Sequence, residues 1–182
     1  MYTIRIYGVG VDREALEWLA LSLGDIFNAE ITVDPRGIPL GEVLRFYRPE
    51  REQVDAAALL EHLSRRVVPG PQGRILVVVK GDGYVEGLNF VFGVAMPGWG
   101  GIVFTEHLDP QFYGQPPSPG LFRARLLKEA LHELGHSYGL RHCRRDCVMR
   151  YSNSVYDVDR KPARFCPHCR AELEFLQPGL LR

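Results

Sequence analysis

The segment His132-Glu133-Leu134-Gly135-His136-Ser137-Tyr138-Gly139-Leu140-Arg141-His142 constrains this chain more than any other. Two histidines four residues apart share one face of a helix, so both rings can reach a single metal ion. Glu133 is turned by about 100° from His132 around the same helix, which sets its carboxylate beside the metal without making it a ligand. Gly139 can adopt the positive φ that ends a helix and turns the chain sharply. His142, following that turn, then returns as a third ligand. The fold must therefore join a helix to a tight reversal at its end. Three protein ligands leave a fourth position open, the arrangement of a catalytic rather than a structural zinc site. Glu133 is the expected general base.

The cysteines come immediately afterwards. Cys143, Cys147, Cys166 and Cys169 all lie in the last third of the chain, and no cysteine precedes them. Two short-spaced pairs separated by a loop suit tetrahedral zinc, because each pair delivers two thiolates from one tight turn. The alternatives are two disulfides or four free thiols. Disulfides need an oxidising compartment, and the N-terminus, Met1-Tyr2-Thr3-Ile4-Arg5-Ile6, lacks the pattern of an export signal. The expectation is two zinc ions, one catalytic and one structural, in a cytoplasmic protein.

With 182 residues, 46% hydrophobic and 24% charged, the chain can build one domain with an ordinary core. Lys+Arg and Asp+Glu are both 22, so no global field draws it to nucleic acid or to an anionic membrane. No apolar run is long enough to span a bilayer. Alternation predicts a strand over 2–8, and apolar spacing predicts a helix over 13–23 capped by Asp12. A short strand at 29–33 follows, then a loop over 34–49 and a helix over 52–66 with Val54, Ala58, Leu59 and Leu63 inward. Residues 74–80 read as a central strand buried on both faces. Strands at 88–95 and 101–105 flank a turn. Ser118 caps a helix that starts at Pro119 and runs to Tyr138. Beyond it the chain is irregular until a short helix over 169–176. The reading is a single catalytic domain over 1–182, with an upper lobe (1–138) and a small lower lobe (139–182).

These residues together resemble the archaemetzincins, a family of metzincin zinc metallopeptidases. The likeness rests on His132, Glu133, His136, Gly139, His142, Cys143, Cys147, Met149, Cys166 and Cys169, and extends upstream through 87–95 and 48–60. It implies an α/β fold of the α+β kind: a twisted mixed sheet with an antiparallel edge strand, an active-site helix and a small irregular zinc-stabilised C-terminal lobe. Residues 88–95 are the candidate edge, to which a peptide could add as a further strand. It also implies that Met149 forms a soft apolar floor beneath the histidines, in a Met-turn. Tyr151, two residues later, is similar to a tyrosine that other metzincins carry, and is the candidate donor to the oxyanion. His142 and Cys143, adjacent in an extended segment, would face opposite sides and serve one metal each. The expected activity is hydrolysis of short peptides from the N-terminus by a monomer. Asp82, Glu86, Glu106 and Asp109 are candidates for holding the substrate's ammonium.

A competing reading is a non-catalytic, zinc-stabilised binding protein. Between Gly139 and Arg170 stand Arg141, Arg144, Arg145, Arg150, Arg160, Lys161, Arg164 and Arg170 against Asp146, Asp157 and Asp159. A basic lobe of this kind could bind an acidic partner. The retained Glu133 argues against it, because holding a metal does not require that carboxylate, and no aromatic interleaving points to nucleic acid.

Overall fold

The computed structural model describes all 182 residues. Strands β1 (Tyr2–Val9) and β2 (Ala29–Val33) are joined by helix α1 (Arg13–Gly24). Helix α2 (Leu40–Leu44) and the short strands β3 (Tyr47–Arg48) and β4 (Gln53–Asp55) lead into α3 (Ala56–Arg66). Strands β5 (Gly73–Val79), β6 (Gly83–Tyr84), β7 (Gly93–Met96) and β8 (Gly100–Phe104) come next, then helices α4 (Pro119–Ser137), α5 (Val155–Arg160) and α6 (Pro167–Leu176).

The main sheet has the order β2-β1-β5-β8-β7. Its first four strands are parallel, and β7 runs antiparallel to β8 at the edge. A small second sheet has the order β3-β4-β6. Every residue of β5 is buried, and its alternation explains why. Leu76 and Val78 join α1 and α4 in one apolar cluster, while Ile75, Val77 and Val79 join α3 in another. A strand covered on both faces has no polar side to present. The first cluster continues into the C-terminal region through Val148, Met149, Phe165 and Leu173, so the cysteine-bearing segment packs on the same side of the sheet as α4. No helix is long and apolar enough to cross a membrane.

Four local expectations need correction. Residues 34–49 are not all loop, since they hold α2 and β3; these elements are too short to show a periodicity. Helix α3 begins at Ala56, not 52. Residues 53–55 are recruited into a strand, and Asp55 caps the helix by accepting from the Ala58 amide at 3.1 Å. Asp12 precedes α1 but makes no side-chain cap bond, whereas Ser118 does accept from the Leu121 amide. The edge strand is β7, Gly93–Met96, shorter than 88–95. The carbonyls of Leu88 and Asn89 accept instead from Arg51 (3.1 and 3.4 Å), and Asn89 also accepts from Gln53 at 2.7 Å. Side chains thus satisfy backbone groups that a strand neighbour would otherwise pair.

Helix α5 lies where the sequence suggests irregular chain. Six residues do not sustain a helix alone, and this one is docked on α4. Arg125 makes two parallel bonds to Asp159 (2.8 and 2.9 Å), and Lys128 donates to the carbonyls of Val158 and Asp159, both at 3.1 Å.

Candidate active site

Helix α4 carries His132, Glu133 and His136 on its last two turns. Gly139 follows at φ 113°, a backbone conformation that side-chain-bearing residues rarely adopt. The Leu140 amide returns to the Gly135 carbonyl at 3.0 Å, and the reversed chain brings His142 over the helix end. The three imidazoles converge, with one ligand nitrogen from each within 4.8 Å of the others.

Hydrogen bonds fix which nitrogen faces inward. His132 Nδ1 lies 2.8 Å from the Val148 carbonyl and His136 Nδ1 lies 2.8 Å from the Leu140 carbonyl. A carbonyl only accepts, so each Nδ1 carries the proton and each Nε2 keeps a lone pair. Those two Nε2 atoms face each other at 3.1 Å with no proton to share. Two ligands of a tetrahedral zinc would sit about 3.3 Å apart at zinc–nitrogen bonds of about 2.0–2.1 Å. The donor set fits such an ion, and the backbone carbonyls are the outer partners that orient ligating histidines.

Met149, the candidate floor residue, is fully buried. A Cβ at Gly135 would collide with Met149 Sδ, so glycine between the two helical histidines lets the turn approach. Tyr151 is 47% exposed, and its ring stands 5.2 Å from that of His142. The resulting cleft, of about 370 Å³, has Glu133 and the histidines at its base, Phe92 to Ala95 along one wall and Tyr151 to Asn153 along the other.

Burial dominates the electrostatics. It lowers the basicity of His132 well below the usual histidine range and that of His136 and His142 to a lesser degree, with the Lys161 ammonium acting in the same direction on all three. Burial also pushes Glu133 well above the usual carboxylate range, with the neighbouring Glu129 adding to the effect. Neutral imidazoles are the ligating form. An unfolded histidine takes up a proton near pH 6.5, whereas these rings resist it to lower pH. Their contribution to stability is therefore complete above that value and lost as pH falls through the folded-state values. The three rings of the metal-free protein should accordingly take up protons only below pH 6.5, as NMR titration of the imidazole signals would show; protonation at or above that value would contradict this.

The four cysteines are all buried and form a second cluster. Cys143 Sγ and Cys166 Sγ are 3.9 Å apart, close to the edge of a zinc tetrathiolate tetrahedron, about 3.8 Å at zinc–sulfur bonds of about 2.3 Å. Backbone amides of Arg145, Met149, Cys166 and Cys169 point at the sulfurs from 3.2–3.4 Å, as suits thiolates. Burial raises the thiol pKa of Cys147 and Cys169, so the cluster calls for a cation if its members are to ionise together. Cys166 also begins α6, accepting from the Cys169 amide with Pro167 in the first turn, which places the helix start two residues ahead of the position predicted from the sequence.

None of Asp82, Glu86, Glu106 and Asp109 lines the cleft. Asp82 instead faces His107 at 3.1 Å, and His107 stacks on the cleft residue Phe90 with ring centroids 3.9 Å apart. Sequence reasoning missed Glu129 and Lys161. Glu129 lines the cleft one helical turn before Glu133, a spacing the sequence does display. Lys161 Nζ lies 2.9 Å from Glu129 Oε1, an ion pair whose angles miss those of a hydrogen bond.

A three-histidine centre with an adjacent buried glutamate, set below the antiparallel edge of a mixed sheet, defines a zinc metallopeptidase of the metzincin type. Comparison with known proteins agrees. Residues 43–175 match the model of Peptidase family M54. The archaemetzincin of Archaeoglobus fulgidus is 39% identical over 174 residues, covering 94% of this chain and 99% of that one. A solved structure of archaemetzincin from Archaeoglobus fulgidus, complexed with malonate, superposes with a TM-score of 0.78 at 39% identity, covering 93% of this chain and 99% of the other. A zinc-dependent peptidase from Methanocorpusculum labreanum gives 0.77 at 29% identity, with coverages of 93% and 99%. This chain belongs to peptidase family M54, the archaemetzincins.

Proposed function

We propose that the chain hydrolyses short peptides at the three-histidine site, with His132, His136 and His142 holding zinc and Glu133 as the general base. The carrying observation is the pair of inward-facing Nε2 lone pairs, 3.1 Å apart, in the same cleft as the Glu133 carboxylate. Held by His132, His136 and His142, a zinc ion would supply Lewis acidity, lowering the pKa of a bound water and polarising a carbonyl. Glu133 takes the proton from the attacking water and returns it to the departing amine. A carboxyl group whose burial raises its proton affinity suits both transfers. Tyr151, half-exposed in the cleft wall beside His142, is the proposed donor to the oxyanion.

The peptide backbone pairs with β7. An antiparallel partner of β7 directs its C-terminal half towards Gly93 and its N-terminal half towards Met96. The short edge and small cleft support action on short peptides, and the preference for their N-terminus rests on the small lower lobe and the likeness to the family. None of Asp82, Glu86, Glu106 and Asp109 lines the cleft to hold an ammonium. Cys143, Cys147, Cys166 and Cys169 hold a second, structural zinc, which suits a reducing compartment. The whole chain, 1–182, acts as one catalytic domain and as a monomer.

The competing binding-protein reading gains nothing from the structure: Lys161 is buried against Glu129 and Arg164 pairs with Asp146 at 3.0 Å, which thins the basic surface. Peptide libraries with free and with acetylated N-termini test the proposal. The expected result is chelator-sensitive cleavage confined to short peptides with free N-termini. Cleavage of acetylated peptides would remove the aminopeptidase assignment, and cleavage indifferent to chelator would remove the zinc mechanism.

A further inference from the structure

Lys161 is buried, and besides its field on the histidines it has no role in the mechanism above. Its side chain is 1% exposed and that of its partner Glu129 is 3% exposed. Besides the ion pair, Lys161 Nζ donates to the Arg150 carbonyl at 3.3 Å. Arg150 stands in the middle of the turn that serves the ligands. Val148 accepts from His132, Met149 packs against Gly135, the Met149 carbonyl accepts from the Cys143 amide at 3.0 Å, and Tyr151 adjoins His142.

Stability alone does not account for this arrangement. An apolar pair of similar volume is often as stable as a buried ion pair, or more so. Docking of α5, the helix that Lys161 follows, is already provided by Arg125 with Asp159 and by Lys128. What the Lys161–Glu129 pair adds is a tie between the active-site helix and the 148–151 turn.

We propose that Lys161 is a positioning residue for hydrolysis: anchored on Glu129 one turn before Glu133, it fixes the Arg150 carbonyl and, through it, the turn that orients His132 and carries Met149 and Tyr151. It touches no reacting atom. The inference rests on the peptidase reading of the three-histidine site.

Lys161→Met alone leaves Glu129 buried without a partner and invites unfolding, so the informative variant is Glu129→Leu with Lys161→Met. It is compared with Lys161→Arg and with Asp159→Asn, which weakens α5 docking away from the cleft. Each protein is assayed for kcat, KM and Tm, and for the visible spectrum of cobalt(II) loaded into the three-histidine site while the cysteine site keeps zinc. The double variant is expected to fold and to lose roughly 10–100-fold in kcat, the range for outer-sphere partners of a metal site, with KM changed by less than about threefold. Its cobalt bands should shift or weaken. Lys161→Arg should recover part of the rate, and Asp159→Asn should lower Tm while leaving kcat and spectrum unchanged. Wild-type kcat and spectrum in the double variant would overturn the proposal, as would an equal kcat loss in Asp159→Asn. Should the wild-type enzyme cleave no peptide, the peptidase reading fails by itself, and the cobalt spectrum still decides the role of Lys161.

Discussion

Glu133→Ala is expected to keep both metal sites filled while kcat falls on the order of 10²–10⁴-fold, the usual contribution of a positioned acid–base group. The reason is geometric. Glu133 is buried on α4 next to His132 and lines the cleft with the three histidines, yet the candidate ligand trio is complete without it. Removing the carboxylate takes away the proton carrier and leaves the ligands alone. Glu133→Gln, which preserves the shape, should be nearly as impaired, separating lost proton transfer from lost packing. Zinc stoichiometry and single-peptide kinetics on the same preparations read both halves of the claim. Wild-type turnover in Glu133→Ala would place the base elsewhere, and loss of a metal would make Glu133 a ligand.

Cys166→Ser should have a larger structural effect. A structural zinc contributes binding energy of about 10–16 kcal/mol that the chain recovers only when folded. Cys166 is doubly placed, in the thiol cluster and at the start of α6. Its loss should empty the cysteine site and free the segment from Cys143 to Cys169. The damage does not stop there, because Cys143 directly follows His142 and its amide bonds the Met149 carbonyl. The three-histidine site should then bind zinc at least about tenfold more weakly, as for lost outer-sphere support, and activity should disappear with it. Metal analysis after gel filtration, with thermal unfolding of the same samples, tests this. Full activity in a protein holding a single zinc would show the two centres to be independent.

The candidate metal-binding positions are the most legible part of the sequence, for a physical reason. Ligands must be particular residue types at spacings set by helix pitch and turn length, so His132, His136, His142 and the four cysteines announce themselves. The long elements were legible as well, because the burial that drives them has a period, as in β5 and α4. What escaped was held by contacts remote in sequence. Helix α5 depends on Arg125 and Lys128 more than 25 residues earlier. The backbone at Leu88 and Asn89 depends on Arg51 and Gln53. In sequence Lys161 is one of a run of basic residues, and only the approach of Glu129 across the fold shows it to be buried.

Strand β7 leaves one row of backbone donors and acceptors without a neighbour, and such a row invites any extended chain, including another copy of this protein. Here the invitation is brief. The strand has four residues, the side chains of Arg51 and Gln53 occupy the carbonyls just before it, and Pro97 closes it. Under the proposed pairing, a visiting peptide would find enough contact to be held for one cut, whereas a second sheet would find too little to grow upon. The dimensions that would admit a substrate would thereby also guard the enzyme against sticking to itself.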